Sequence, residues 1–203
     1  MPNTHHLDML RNIIFDFGGV LLDWNPHYLY DPYFGSSARA ELFLTHICTY
    51  EWNQQHDLGK PIAEGTAELV AEFPEWRTEI EMYYGQFTKM IGGQVSGMYN
   101  LLQTLKDKGY RLYGLSNWSV ETFAMVSDDP IFQFIENRVI SGAIGIMKPD
   151  PRIFLHAISQ FGVNPAETAF VDDNAINVQA ATQQGLQGIL FTTAEELAQQ
   201  ILK

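Results

Sequence analysis

Asn12-Ile13-Ile14-Phe15-Asp16-Phe17-Gly18-Gly19-Val20 decides how the rest of the chain is read. Residues 12–17 are a short, nearly continuous apolar run that stops at two glycines, the pattern of a strand buried on both faces and ending in a turn. Asp16 falls at the C-terminal end of that run, a polar group placed where the backbone leaves the sheet. A strand covered on both faces belongs to a parallel sheet, so the remaining sequence should supply more strands with helices between them.

Downstream segments have that form. Residues 97–108 have helical spacing, closed by Gly109, and 111–115 is a second apolar run that gives way to Ser116-Asn117. Strands are then expected at 137–140, 168–171 and 188–191, and helices at 151–161, at 175–184 and from Thr193 onward. The alternation predicts an α/β fold with a Rossmann-like parallel sheet, helices on both faces, and ligands bound at the C-terminal strand ends.

Residues 26–93 interrupt the alternation. They show helical spacing over 38–47, 62–73 and 76–91 and no convincing strand, which predicts a helical cap inserted after the first strand and lying above the strand ends. The expected organisation is a core of residues 1–25 and 94–203 with a cap of 26–93.

Of the 203 residues, 46% are hydrophobic and 18% charged, a globular composition. A net charge of −12 disfavours nucleic acid as a partner, because that association needs cationic side chains to neutralise phosphates. The same acidity means that binding a phosphorylated small molecule would require a local cation to invert the field. The one cysteine, Cys48, excludes an internal disulfide and suits a reducing compartment. Residues 1–11 lack a signal-like apolar run, and no stretch is long enough to span a membrane, so a cytoplasmic protein is expected.

Four short signals fall near strand ends: Asp16-Phe17-Gly18-Gly19-Val20, Ser116-Asn117, Lys148-Pro149, and Asp172-Asp173-Asn174 with Asn177. Each has a structural alternative to a chemical role. Asp16 suits a nucleophile but also a turn cap. Ser116 suits a phosphoryl-oxygen donor, with the Asn117 backbone N–H, but also a helix N-cap. Lys148, framed by Pro149 and Pro151, suits a fixed cation but also a solvated loop lysine. Asp172 and Asp173, brought near Asp16 by the sheet, would repel unless a cation sat among them; Mg²⁺, with its preference for oxygen ligands, fits, and the alternative is an N-cap at Asp173 or Asn174.

The order and spacing of the four signals resemble the motifs of the haloacid dehalogenase (HAD) superfamily, over most of the chain outside the insertion. The resemblance implies a phosphatase with Asp16 as nucleophile, Ser116 and Asn117 binding the phosphoryl group, and Lys148 bridging nucleophile and phosphate. It implies Mg²⁺ held by Asp16, the Gly18 carbonyl and Asp173, with Asp172 and Asn177 behind them. The chain looks closest to the branch containing glucose-1-phosphate phosphatase and the N-terminal domain of soluble epoxide hydrolases.

One position departs from the pattern: most such phosphatases carry a second aspartate two residues after the nucleophile, as general acid, and here that position is Gly18. Either the leaving group needs little protonation or a cap residue substitutes, with His56 and Asp57 as candidates. Trp24, Trp52 and Trp118 offer aromatic faces suited to a sugar ring, as well as to simple packing. Two rival functions are carried forward. A 2-haloacid dehalogenase would use the same nucleophile on carbon without metal, and a phosphate-metabolite binding protein would use the scaffold without turnover.

Overall fold

The computed structural model of the chain describes residues 10–202. Five strands form its central sheet: β1 (Asn12–Phe15), β4 (Arg111–Ser116), β5 (Asn137–Ile140), β6 (Thr168–Asp172) and β7 (Gln187–Leu190), in the spatial order β5-β4-β1-β6-β7. Every pairing in it is parallel. β1 is central and wholly buried, which explains its apolar run. Ile13 and Phe15 point into one core layer and Ile14 into the other, as the two-residue period of a strand requires.

Helices cover both faces. α6 (Met98–Asp107) and α11 (Ala194–Ile201) pack together on one, and α9 (Pro151–Phe161) and α10 (Ala175–Gln183) on the other. The short α7 (Val120–Ala124) and α8 (Ser141–Ile144) follow β4 and β5 at the C-terminal edge. From β1 the sheet grows first toward β4 and β5, then crosses back to β6 on the opposite side. That reversal makes the end of β1 the switch point, where a crevice opens.

Between β1 and α6 lie β2 (Leu22–Trp24), five helices, α1 (His27–Phe34), α2 (Ser37–His46), α3 (Tyr50–Asp57), α4 (Ile62–Glu72) and α5 (Arg77–Gly85), and β3 (Ile91–Gln94). The helical insertion after the first strand is therefore present, with one correction. The helix expected over 76–91 ends at Gly85, and β3 pairs antiparallel with β2 in a two-stranded ribbon. Gly92 permits this: a Cβ there would come within 2.7 Å of Asp23 Oδ2 and of the Tyr28 ring, so the close approach of the ribbon to α1 depends on its absence. Among the described residues, no helix is long and apolar enough to cross a membrane. The expectation of no signal-like run at the N-terminus rests mainly on residues 1–9, which lie outside the described residues.

Candidate active site

The register of the sheet assembles the site. Phe15 pairs with Val171 across β1 and β6, so one residue further on Asp16 stands level with Asp172. Ser116 closes β4 on the other side. Beyond β1 the chain reverses at once, with Phe17 O accepting the backbone N–H groups of Val20, Leu21 and Leu22. Gly19 takes a left-handed φ of 76°, which a non-glycine residue adopts only at a cost.

Three donors converge on Asp16 Oδ1: the Phe17 N–H at 2.7 Å, the Ser116 hydroxyl at 2.7 Å and Lys148 Nζ at 2.9 Å. Among the described residues no hydrogen bond reaches Oδ2. Asp16 thus does accept the next backbone N–H, as a turn cap would, yet keeps one oxygen uncommitted. Ser116 does not cap α7; Ser119 does, accepting from the Glu121 N–H.

Lys148 is 2% exposed, which removes the solvated-lysine alternative. Its ammonium lies 2.6 Å from Asp172 Oδ2 as well as against Asp16. Burial works against its charge, and the two carboxylates outweigh burial and raise its pKa above the ordinary lysine value. Its backbone is clamped from both sides by one side chain: Asn117 Nδ2 donates to Lys148 O at 2.9 Å and Lys148 N–H donates to Asn117 Oδ1 at 2.8 Å. This use of the Asn117 side chain was not foreseen from sequence.

Asp172 is fully buried and its oxygens are engaged by Lys148, by the Asn177 amide and by the Asn174 N–H. Asn174, not Asp173, is the N-cap of α10. Asp173 is left to face outward, its carboxylate lying so close over Gly19 that a Cβ there would collide with it.

Asp16, Asp172 and Asp173 offer carboxylate oxygens that all lie within 4.8 Å of one another. With Lys148, among the described residues the one ammonium paired with Asp16 and Asp172, the fully ionised cluster holds two excess negative charges. Burial, offset in part by Lys148 and reinforced by Asp172, pushes Asp16 up to about 7; burial and Asp172 also raise Asp173. A divalent cation would balance that excess and favour the ionised carboxylates, so the donor set suits Mg²⁺, a hard ion bound by few carboxylates.

These groups open onto a cavity of about 610 Å³. Its floor carries Asp16, Gly18, Ser116, Asn117, Lys148 and Asp173, and its walls Trp24, Phe87 and Trp118. The helical insertion adds Tyr50, Asn53 and Asp57 from α3. Spaced by three and four residues, these three share one helix face.

Trp52 and His56 do not line this cavity. They lie on another face of α3, where Trp52 packs against Tyr83 and Tyr84 at 5.2 Å and donates from Nε1 to Gly65 O, while His56 pairs through Nδ1 with Lys60 O. Their expected contact with substrate is corrected: one step along α3 turns a side chain by about 100°, and Asp57, not His56, reaches the cavity. Tyr50, Asn53 and Phe87 were missed. The signal for the first two was the Thr49 N-cap, which starts the helix and fixes its polar face.

Fold and site together define an enzyme built around a buried carboxylate. The sequence model of the haloacid dehalogenase-like hydrolases matches residues 10–185, and the chain belongs to that family. It is similar to D-ribitol-5-phosphate phosphatase of Bacteroides thetaiotaomicron, at 25% identity over 88% of this chain and 90% of that protein. It is also similar to (S)-2-haloacid dehalogenase 4A of Burkholderia cepacia, at 33% identity over 90% of this chain and 83% of that protein. Among solved structures, a HAD family enzyme of Bacteroides thetaiotaomicron in complex with magnesium and inorganic phosphate shares the fold. Its TM-score is 0.70 at 22% identity, over 91% of this chain and 95% of that one.

Proposed function

We propose that this hydrolase is a Mg²⁺-dependent phosphatase that removes the phosphoryl group from a small phosphorylated metabolite, sugar phosphates among the candidates, through an aspartyl-phosphate at Asp16. The observation that carries the reading is the asymmetry of Asp16 on the floor of the cavity: Oδ1 is fixed by three donors while, among the described residues, none reaches Oδ2. A nucleophile needs that combination of fixed orientation and one free lone pair.

Asp16 Oδ2 attacks phosphorus. As substrate enters, the Ser116 hydroxyl turns from Asp16 to an equatorial oxygen, the Asn117 N–H donates to another, and Lys148, held by Asp172 and by the Asn117 clamp, stabilises their charge. Asp16, the Gly18 carbonyl and Asp173 would hold Mg²⁺, with Asp172 and Asn177 behind them; when bound, the ion neutralises phosphoryl charge. Residues 26–93 act as the cap, and 1–25 with 94–203 as the core. The single cysteine, buried, fits a cytoplasmic location.

The relative at 33% identity favours a second reading, 2-haloacid dehalogenation. The carboxylate cluster weighs against it, since a substrate carboxylate would enter beside Asp16, Asp172 and Asp173 with Lys148 alone to offset three negative charges. A screen of phosphorylated metabolites and 2-haloacids, with and without Mg²⁺, on wild type and Asp16→Asn tests both. The phosphatase reading expects Mg²⁺-dependent phosphate release abolished by D16N. Metal-independent halide release without phosphate release would replace it.

A further inference from the structure

An in-line displacement at phosphorus places the leaving oxygen opposite the attacking one. With Asp16 on the cavity floor, that oxygen points toward the wall built by the helical insertion, and an alkoxide leaving there needs a proton. Gly18 offers none. On the floor Lys148 is committed to two carboxylates and Ser116 donates to Asp16. The insertion contributes two titratable side chains to the cavity, Tyr50 and Asp57.

We propose that Asp57 is the general acid and base of the reaction, supplied by the cap in place of a residue beside the nucleophile; this rests on the phosphatase reading of the same site. Asp57 is 8% exposed and doubly positioned. Its backbone carbonyl accepts from Ser141 Oγ, which itself accepts from the Trp118 N–H, so the C-terminal end of α3 is tied to the loops after β4 and β5. Its Oδ2 accepts from Asn53 Nδ2, and Tyr84 OH in turn donates to Asn53 Oδ1. Burial, opposed by the Ser119 N–H and Lys148 and aided by Asp16, raises Asp57 to about 7, where a carboxyl can both give and take a proton near neutrality. Tyr50 is raised above its ordinary value by burial, which makes it the poorer donor.

The steps balance. As the Asp16 Oδ2–P bond forms and the P–O bond to the leaving group breaks, the Asp57 proton passes to the departing oxygen, giving the alcohol and an Asp57 carboxylate. Water then attacks phosphorus, its proton passes to Asp57, and the Asp16–P bond breaks to release inorganic phosphate.

The test is a series of alkyl and aryl phosphates of graded leaving-group acidity, with Mg²⁺, on wild type, Asp57→Asn, Asp57→Ser and the double variant Asp57→Asn with Gly18→Asp. A Cβ at Gly18 meets nothing nearer than the Trp118 ring at 3.9 Å, so a carboxyl can be installed there. Loss of Asp57 should slow the single-turnover phosphorylation step about 10²–10⁴-fold for alkyl phosphates and leave it nearly unchanged for nitrophenyl phosphate, while steady-state turnover falls on both because dephosphorylation loses its base; Gly18→Asp should restore part of the alkyl rate. Equal slowing of the phosphorylation step across the series, or alkyl turnover as fast as wild type, overturns the role of Asp57 alone. A wild type that hydrolyses no phosphate ester overturns the phosphatase reading, and the acid with it.

Discussion

Lys148 Nζ lies 2.6 Å from Asp172 Oδ2, and both side chains are shut away from solvent. An ammonium in that position is tolerated only because two carboxylates meet it; removing one side of such a pair leaves an uncompensated charge in a poorly polarisable interior. Lys148→Met should therefore lower the unfolding free energy by about 3 kcal/mol as well as abolish turnover. Urea denaturation of the two proteins checks it, and an unchanged midpoint would mean that the pair contributes nothing to the fold.

Asp173 rests on Gly19 with no room for a side chain between them. Gly19→Ala should displace that carboxylate and weaken Mg²⁺ binding at least tenfold, a ligand-placement effect of about 10–100-fold. The left-handed φ of 76° adds a loss of about 1–2 kcal/mol in stability. Titration calorimetry with Mg²⁺ reads the first effect separately from the second.

Asp57 gives a pH prediction independent of activity. Its folded pKa of about 7 stands above the ordinary 3.8, so the folded protein holds a proton that the unfolded chain releases between those values. The resulting stabilisation is complete below about pH 4 and is lost as pH rises through 7. Asp57→Asn, permanently neutral, should then be more stable than wild type at pH 8, by on the order of 2–4 kcal/mol, with the gap closing toward pH 4. Thermal melts across that range measure it.

Trp52 and His56 belong to the packing of the insertion. Trp52→Phe removes the hydrogen bond to Gly65 O and should cost about 1–2 kcal/mol of stability with KM unchanged. Gly65→Ala, whose Cβ would strike the His56 ring, should cost about 1–3 kcal/mol by overpacking. A rise in KM for W52F at full folding would return Trp52 to the substrate.

These residues also show what could and could not be read in advance. β1, β4 and β6 were legible because burial on both faces writes a continuous apolar run, and a parallel sheet then brings Asp16, Ser116 and Asp172 to one edge whatever lies between them. The β2–β3 ribbon was not, because strands of three and four residues with Gly92 and Gly93 inside carry almost no periodicity; their pairing is set by contact with α1. The expectation that His56 reaches the cavity failed for a similar reason. Which face of α3 looks down is fixed by its docking through Ser141 and by the aromatic packing of Trp52, Tyr83 and Tyr84, and neither is visible in the eight residues of that helix. Asn117 was noticed for its backbone, while its side chain serves Lys148, a partner 31 residues away.

The most direct test of the account is to quench the Mg²⁺-loaded enzyme during turnover of a ³²P-labelled metabolite phosphate and locate the label on the chain. A hydroxylamine-sensitive phosphoryl group on the peptide containing Asp16, absent from Asp16→Asn, is the predicted result. Turnover that persists in Asp16→Asn, with no label on that peptide in wild type, would contradict it.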